Sequence, residues 1–323
     1  MISRVLVRGG MVLLMLAAFA GHAAAQAVQL RYQWKQGEVL TYRTEVRTVS
    51  SVTGGPRGTE TFGQTLSQTF QLTVAAVNPA DGSATLRQSI GAVSVEINTP
   101  AGKIAYDSTK PIADDADPRV QGVAKTLGGM VGEAISVTMA PTGEVRRIDG
   151  AARVVQKLID NLPRDPMSGG LAQNIKAMLS EDALRSSLEQ SFSRLPEQPV
   201  KAGDTWTTEQ TVSAGASGRV LGKSTFTLKA IDGTGDAAVA RIAVSLALRQ
   251  DEVPAAGTST VVKLGAGSKG DGEVVFTISR GRIETNTMMT NMPSTVTMRG
   301  PDGGTMTIQN TTTTTMTMNR VEK

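Results

Sequence analysis

The sequence predicts an α+β protein dominated by antiparallel β-sheet, with strands on both sides of a central helical segment. Three observations predict this class. Apolar and polar residues alternate over long runs at both ends of the chain, Gly/Asp turns separate these runs, and apolar residues take helical spacing only in the middle. We expect the sheet to be curved, either as one open barrel or as two related lobes.

The N-terminus has the organisation of a secretory signal. Arg4 and Arg8 precede an apolar run from Met11 to Phe19, and small residues follow at Ala23–Ala25. This run is about half of the roughly 20 residues that cross a bilayer, which favours a cleaved signal over a retained anchor. We therefore predict a signal peptide over residues 1–25 and an exported protein, periplasmic or secreted, without a transmembrane segment after the signal.

Long alternating runs predict the first strands. The stretch Val28–Tyr42 reads as paired strands around a turn at Gln36–Gly37, and Phe62–Val74 reads as a long strand with one buried face. A turn at Pro79–Gly82 leads into a returning strand. In that strand the apolar positions change phase at Gly91, which predicts a β-bulge.

The middle of the chain predicts helices. Asp117 followed by Pro118 is typical of a capped helix start. Two or three helices are expected between residues 150 and 195, with a cap at Ser180. Their apolar residues lie at helical spacing and are Val154, Val155, Leu158, Ile159, Leu162, Leu184, Leu188 and Phe192.

From Gly203 onward the strand pattern returns, ending in two segments around a Pro301–Gly304 turn. The predicted organisation is a signal peptide (1–25), an N-terminal β-rich lobe (26–149), a helical segment (150–198) and a C-terminal β-rich lobe (199–323).

A weak internal repeat recurs in order along the chain. Lys35–Thr41 is similar to Lys201–Thr207, and Leu72–Val77 is similar to Phe226–Ile231, each followed by a Gly/Asp turn and a returning strand. The pattern fits either a duplication or two unrelated hairpins, since amphipathic hairpins share the same alternation of apolar and polar residues.

Composition excludes several classes of activity. The only histidine, His22, lies in the signal, and the chain has no cysteine. Ser-His-Asp and Cys-His sites and the usual zinc sites therefore lack their residues, and we predict a protein that is not an enzyme and has no cofactor or metal. Two of the 33 basic residues also lie in the signal, which leaves 31 against 29 acidic ones, a net charge of +2 that does not point to nucleic acid.

Each of three motifs has both a structural and a functional interpretation. Gly265–Gly270 has the spacing of a dinucleotide-binding loop, but a predicted strand follows it instead of a helix, which favours a surface turn. Asp114, Asp115 and Asp117 lack the spacing of a calcium loop and read as a solvated loop before a helix cap. Glu38 and Asp204 could act as paired carboxylates of a hydrolase, but each reads better as a turn residue.

Methionines concentrate near the C-terminus, where thioethers could bind copper(I). Met306, Ile308, Met316 and Met318 share one strand face, with threonines on the other, which favours apolar packing instead. The residues that we predict to line an apolar site are Phe62, Phe70, Phe226, Phe276, Met306, Met316 and Met318.

The order of three motifs resembles a family of secreted bacterial proteins of unknown function. The motifs are Lys-x-Gly-Glu-x-Leu-x-Tyr at Lys35–Tyr42, then Gly143–Val145, then Val200–Trp206. That resemblance implies no activity and no binding residues. The inventory of long strands with a helical insert is also similar to the periplasmic lipoprotein-carrier fold, which would imply a ligand bound inside the sheet.

For function, the sequence favours a non-catalytic soluble envelope protein that binds an apolar, lipid-like ligand. Two alternatives stay open: a scaffold that binds another envelope protein through a strand edge, and a carboxylate-based hydrolase.

Overall fold

The computed structural model describes residues 27–55, 58–113, 116–162, 168–213, 219–252, 260–299 and 304–322, so the predicted signal, Asp114, Asp115 and most of the Pro301–Gly304 turn lie outside the described residues. The described elements, in chain order, are β1 Val39–Gly55, β2 Gly58–Val77, β3 Ala84–Thr99, β4 Gly102–Asp107, α1 Pro118–Gly128, β5 Ala134–Met139, β6 Val145–Asp149, α2 Ala151–Asp160, α3 Ser168–Met178, α4 Glu181–Ser191, β7 Thr205–Ser213, β8 Arg219–Asp232, β9 Val239–Glu252, β10 Thr260–Leu264, β11 Lys269–Thr277, β12 Arg282–Arg299 and β13 Thr305–Val321.

The thirteen described strands form one open antiparallel sheet. Its order is β6-β5-β3-β2-β1-β13-β12-β11-β9-β8-β7, so β6 and β7 are its edges, while β4 pairs with β3 and β10 with β12. The predicted α+β class with a mainly antiparallel sheet is confirmed.

The sheet contains the same arrangement of strands twice. Strands β6-β5-β3-β2-β1 form a first repeat, strands β12-β11-β9-β8-β7 form a second repeat in the same order, and β13 lies between them. The sequence similarity between Lys35–Thr41 and Lys201–Thr207 therefore marks the start of each repeat.

The turns that open the repeats have the same hydrogen bonds. The amide N of Gly37 donates to the carbonyl O of Val74 at 2.8 Å, and Gly203 donates to Leu228 at 2.8 Å. Both glycines have positive φ, 81° and 94°, a backbone conformation in which a residue with a side chain would be strained. The backbone therefore repeats at the level of single hydrogen bonds.

Bulges also recur at equivalent places. The ladder shifts register after Val74 in the first repeat and after Leu228 in the second, and it shifts again just before Met139 and Phe276. Equivalent residues of the repeats can therefore be paired by register. The predicted bulge at Gly91 is confirmed, because Thr69 pairs with Ala92 while Phe70 pairs with Ile90.

The prediction of a strand over Val28–Trp34 is wrong. This segment makes one isolated bridge, from Val28 to Val200, and then crosses the ends of two hairpins. The amide N of Tyr32 donates to Pro141 O at 2.8 Å, and that of Gln33 donates to Gly281 O at 3.1 Å. The alternation reflects burial of Leu30 and Tyr32 between the hairpin ends, and none of the described strands runs alongside this segment.

The helical predictions are confirmed. Asp117 caps α1 by accepting from the amide N of Arg119 at 2.8 Å, and Ser180 caps α4 by accepting from that of Ala183 at 3.3 Å. Three helices, α2 to α4, fall between residues 150 and 195. None of the helices in the described part of the chain is long and apolar enough to cross a membrane.

The main core lies on one face of the sheet, which we call the inner face. It carries buried side chains of both repeats, such as Leu72 and Leu228, together with Phe192 at the end of α4. The ring of Phe192 is 1% exposed and meets those of Tyr42 and Phe70 edge-on, at centroid distances of 5.7 and 6.5 Å. Helix α4 is therefore packed into the same core as the sheet.

Candidate functional site

Helix α4 is fixed to the sheet at its C-terminal end. The last carbonyls of a helix lack intrahelical partners. The side-chain amide of Asn286, on β12, donates to Gln190 O at 3.0 Å and to Ser191 O at 2.8 Å, and the Tyr32 hydroxyl donates to Phe192 O. Asn286 is 1% exposed, so this polar contact is inside the core.

The chain after α4 is held in the same way. The indole Nε1 of Trp206 donates to Arg194 O at 2.8 Å, and the amide N of Leu195 donates to Thr142 O at 2.8 Å. The Trp206 ring stacks on Phe226 at 5.5 Å. The Trp206 contact joins the chain after α4 to the second repeat, and the Leu195 contact joins it to the β5–β6 turn of the first repeat.

A cavity of about 330 Å³ lies between α4 and strands β7, β8 and β9, and we name it the second-repeat cavity. Its sheet wall is mainly apolar and its helix wall is mainly polar. The sheet wall includes Val220, Phe226, Val244, Leu246, Leu248 and, from β12, Met288, together with the polar residues Thr208, Gln210 and Ser224. The helix wall consists of Ala183, Ser186, Ser187, Glu189 and Gln190.

Small side chains create this space. Gly222 lies on the sheet wall, where a Cβ atom would make ordinary contacts of 3.5 Å with Leu246 and Leu248. Serines face the cavity from α4, where the leucines of the same helix point elsewhere. A mainly apolar sheet wall opposite a mainly polar helix wall suits an amphiphilic molecule.

A second cavity of about 250 Å³ lies on the other side of α4, and we name it the first-repeat cavity. Ser187 borders both cavities. The other residues that line the first-repeat cavity come from the first repeat and from the segments around α1 to α4. They are Gln68, Gln88, Ile90, Met130, Glu133, Ala134, Ile135, Ala151, Val154, Leu179, Leu184 and Leu188.

The two cavities occupy equivalent places in the repeats. Leu72 pairs with Gln88 across β2 and β3, as Phe226 pairs with Val244 across β8 and β9. Continuing along these strands gives three equivalent pairs that line the cavities: Gln68 with Gly222, Gln88 with Val244, and Ile90 with Leu246. At two of these three pairs, the first-repeat cavity has an amide side chain (Gln68 and Gln88) where the second-repeat cavity has a glycine or a valine (Gly222 and Val244).

The predicted apolar lining residues do not come together in one site. Of the seven, Phe226 lines the second-repeat cavity. Three others, Phe70, Phe276 and Met318, are buried in the main core, and Met316 packs against it. Phe62 is half-buried on β2, and Met306 is 42% exposed on β13.

The remaining predicted motifs are separate. Met288 pairs with Met316 across β12 and β13, where Met288 reaches the second-repeat cavity, while Met289 points outward at 55% exposure. Residues 265–268 form the connection into β11, so the predicted strand after this loop is confirmed. Five strands lie between β1 and β7, whose opening turns hold Glu38 and Asp204, so these carboxylates are not paired.

Glu38 belongs instead to an ionic cluster at one end of the core. It accepts from Arg282 at 2.7 Å, while Glu284 accepts from Arg320 at 2.6 Å. The hydroxyl of Tyr42 lies near this cluster and donates to Ile283 O at 3.3 Å. Burial raises the pKa of Tyr42 well above its usual range, so the phenol stays neutral. These charges are already paired, which is the arrangement of a structural network.

Together, the fold and the cavities define a class: an antiparallel α+β protein with one helix between two cavities that its repeated sheet supplies. The chain belongs to the family of unknown function DUF6263, whose model matches residues 81–322. The predicted resemblance to a family of unknown function is confirmed. No curated protein matches the chain.

Several solved structures show distant similarity. A structure concerned with lipid–protein interactions in lipovitellin is 9% identical with a TM-score of 0.46, and the match covers 90% of this chain and 26% of that one. DynF of the dynemicin pathway of Micromonospora chersina is 9% identical with a TM-score of 0.20, over 91% and 85% of the two chains. OccK5 of Pseudomonas aeruginosa is 6% identical with a TM-score of 0.20, over 89% and 99%. At these scores the similarities carry no argument about function.

Proposed function

We propose that this protein is a non-catalytic, exported envelope protein that binds a lipid-like ligand in the second-repeat cavity. The observation that carries the proposal is the pairing of two unlike walls. Phe226, Val244 and Leu246 line the cavity from the sheet, where the apolar chain would lie, and Ser186 and Ser187 of α4 line it from the other side.

The size of the cavity supports a small amphiphile. A volume of about 330 Å³ falls at the lower end of the roughly 300–1,000 Å³ typical of small-molecule sites. A ligand with one apolar chain fits this volume better than one with several. Its chain would lie on the leucines and its polar end toward Glu189 and Gln190.

The charges at the site favour a ligand without a strong negative charge. The carboxylate Oε1 of Glu189 accepts from the amide N of Val145 at 3.3 Å, and this carboxylate lines the cavity. A free anion placed beside it would meet like charge. The proposal therefore favours neutral or zwitterionic polar ends.

A second candidate, binding of another envelope protein, is favoured by the free edge at β7. This strand pairs only with β8 in the described sheet, and Thr205, Thr207 and Glu209 are exposed along it. Such an edge can accept a strand from a partner.

Native mass spectrometry of protein purified from its own envelope without detergent tests the first candidate. We expect a bound mass of lipid size, and organic extraction should release it. A polypeptide that carries no ligand, and takes up none when offered a single-chain neutral or zwitterionic amphiphile such as a monoacylglycerol or lysophosphatidylcholine, would contradict lipid binding and favour the edge at β7.

The cavity itself is tested with Leu246→Trp. Leu246 is half-buried on the cavity wall, so an indole placed there should occupy the ligand volume. We expect about a tenfold or greater loss of affinity for a dansyl-labelled fatty alcohol, because filling the cavity removes the apolar contacts of the chain. The matched control is Ile308→Trp, half-buried on β13 away from both cavities. Equal affinities of the two variants would contradict the assigned site.

A further inference from the structure

The first-repeat cavity has its own chemistry. Most of its walls are apolar, from Ile90 and Ile135 on the sheet side to Leu184 and Leu188 on α4. Its volume of about 250 Å³ exceeds that of an engineered cavity of about 150 Å³ that binds benzene. It has room for a short apolar chain or a ring.

The one described charge that lines this cavity is already neutralised. Glu133 accepts from Lys157 Nζ at 2.5 Å, and Arg153 Nη1 lies 3.6 Å from its other oxygen. The hydrogen bond from Lys157 lowers the pKa of Glu133, so the carboxylate stays ionised and paired. A charged ligand would find no free counter-charge among the described lining residues.

Two amides supply the remaining polarity. Gln68 on β2 and Gln88 on β3 both line the cavity, although they are not register partners, since Gln68 pairs with Val93 and Gln88 with Leu72. The Oε1 atom of Gln88 is shielded from solvent and has no hydrogen-bond partner among the described residues. A buried acceptor without a donor is destabilising, and a ligand that supplies a donor would relieve that penalty.

Comparison with the second repeat singles out these amides. At the positions of Gln68 and Gln88 the second repeat has Gly222 and Val244, which carry no acceptor. At these two register-matched positions the first-repeat cavity therefore has an amide where its equivalent has none, although the second-repeat cavity has polar groups elsewhere, such as Gln210 and Ser224.

We propose that the first-repeat cavity is a second binding site, for a small uncharged amphiphile that carries an O–H or N–H donor. The donor hydrogen-bonds to Gln88 Oε1 and the apolar part lies against Ile90, Ile135 and Leu184. This site is independent of the proposed lipid site and does not rest on it.

Octanamide and N,N-dimethyloctanamide test the proposal, because they share a chain and a carbonyl but only the first has a donor. Binding is measured by calorimetry on the Leu246→Trp protein, whose second-repeat cavity is filled. We expect octanamide to bind about tenfold more tightly than the dimethyl compound, as one hydrogen bond to a buried acceptor allows. Equal binding of the two, or no binding of either, would overturn the proposal.

A reciprocal exchange between the repeats assigns the donor preference to one residue. Gln88→Val, made in the Leu246→Trp protein, should abolish the preference for octanamide, and Ile90→Trp should abolish binding of both compounds. Val244→Gln, made in a protein whose first-repeat cavity is filled by Ile90→Trp, should give the second-repeat cavity a donor preference. A preference for octanamide that persists in Gln88→Val would contradict the assignment of Gln88 as the acceptor. Thermal unfolding of each variant checks that it is folded, and failure of the lipid site would leave these results unchanged.

Discussion

The two repeats hold helix α4 by different forces. On the side of the first repeat, Phe192 packs edge-on against Tyr42 and Phe70. On the side of the second repeat, Asn286 holds the helix by hydrogen bonds and serines face an open cavity. The difference teaches that a repeated backbone can hold one helix by aromatic packing on one side and by buried hydrogen bonds on the other, with a cavity left on each side.

Of the changes that test this comparison, removal of the aromatic anchor should have the largest effect on the free energy of unfolding. Phe192→Ala deletes a ring that is 1% exposed, and such deletions cost about 3–5 kcal/mol of unfolding free energy because they leave a cavity. Urea unfolding measures the loss. The control is Phe62→Ala, at a half-buried site on β2, where a loss of about 1 kcal/mol is expected. Similar losses in both variants would show that Phe192 is not the anchor.

Exchanging equivalent residues should have an intermediate effect. Asn286 and Ile148 occupy matching positions, opposite Val274 and Val137. Asn286→Ile leaves the last carbonyls of α4 without donors, at a cost of about 1–3 kcal/mol. Ile148→Asn buries an amide without a partner, which should cost about as much. Amide hydrogen exchange should quicken in α4 for Asn286→Ile. If α4 stays as protected as in the parent protein, the hydrogen bonds are not what holds it.

The smallest effect should come from an ion pair of the first repeat. Asp81, in the β2–β3 turn, accepts from Arg146 of β6 at 2.5 Å, and this hydrogen bond with that from Ser83 lowers the pKa of Asp81 to about 2. A carboxylate whose pKa is lower in the folded protein than its unfolded value of 3.8 stabilises the fold at pH values above 3.8. This contribution is lost as the pH falls toward about 2.

Arg146→Ala should therefore unfold slightly more readily than the parent protein at pH 7, and the gap should narrow below pH ~4. The effect is small because both groups are exposed. Urea midpoints across this pH range measure it. A gap that stays constant with pH would mean that Arg146 acts through packing alone.

Much of the fold was predictable because the signals are local. The phase change at Gly91 predicted its bulge, Ser180 predicted the start of α4, and the repeated Lys-x-Gly motif predicted the opening turns. The pairing of β13 with β1 was not predictable, because their residues are up to 280 positions apart, as in Thr41 with Val321. Local alternation does not specify a partner strand.

The site was less predictable than the fold. Alternation identified buried faces, and Phe226 was found in this way, but it did not indicate what covers each face. Leu246 and Gln88 were missed because their roles depend on α4 lying opposite. The available signal was the pair Ser186–Ser187 beside the apolar stripe of α4, since small polar residues on a core-facing helix leave space.

The place of β13 in the sheet has a consequence for the order of events during folding. This strand follows the other described strands along the chain, yet it lies between β1 and β12 and joins the repeats. Until it docks, the edges of β1 and β12 that it will cover have no partner. The sheet therefore cannot be completed before this late segment of the chain is free to fold.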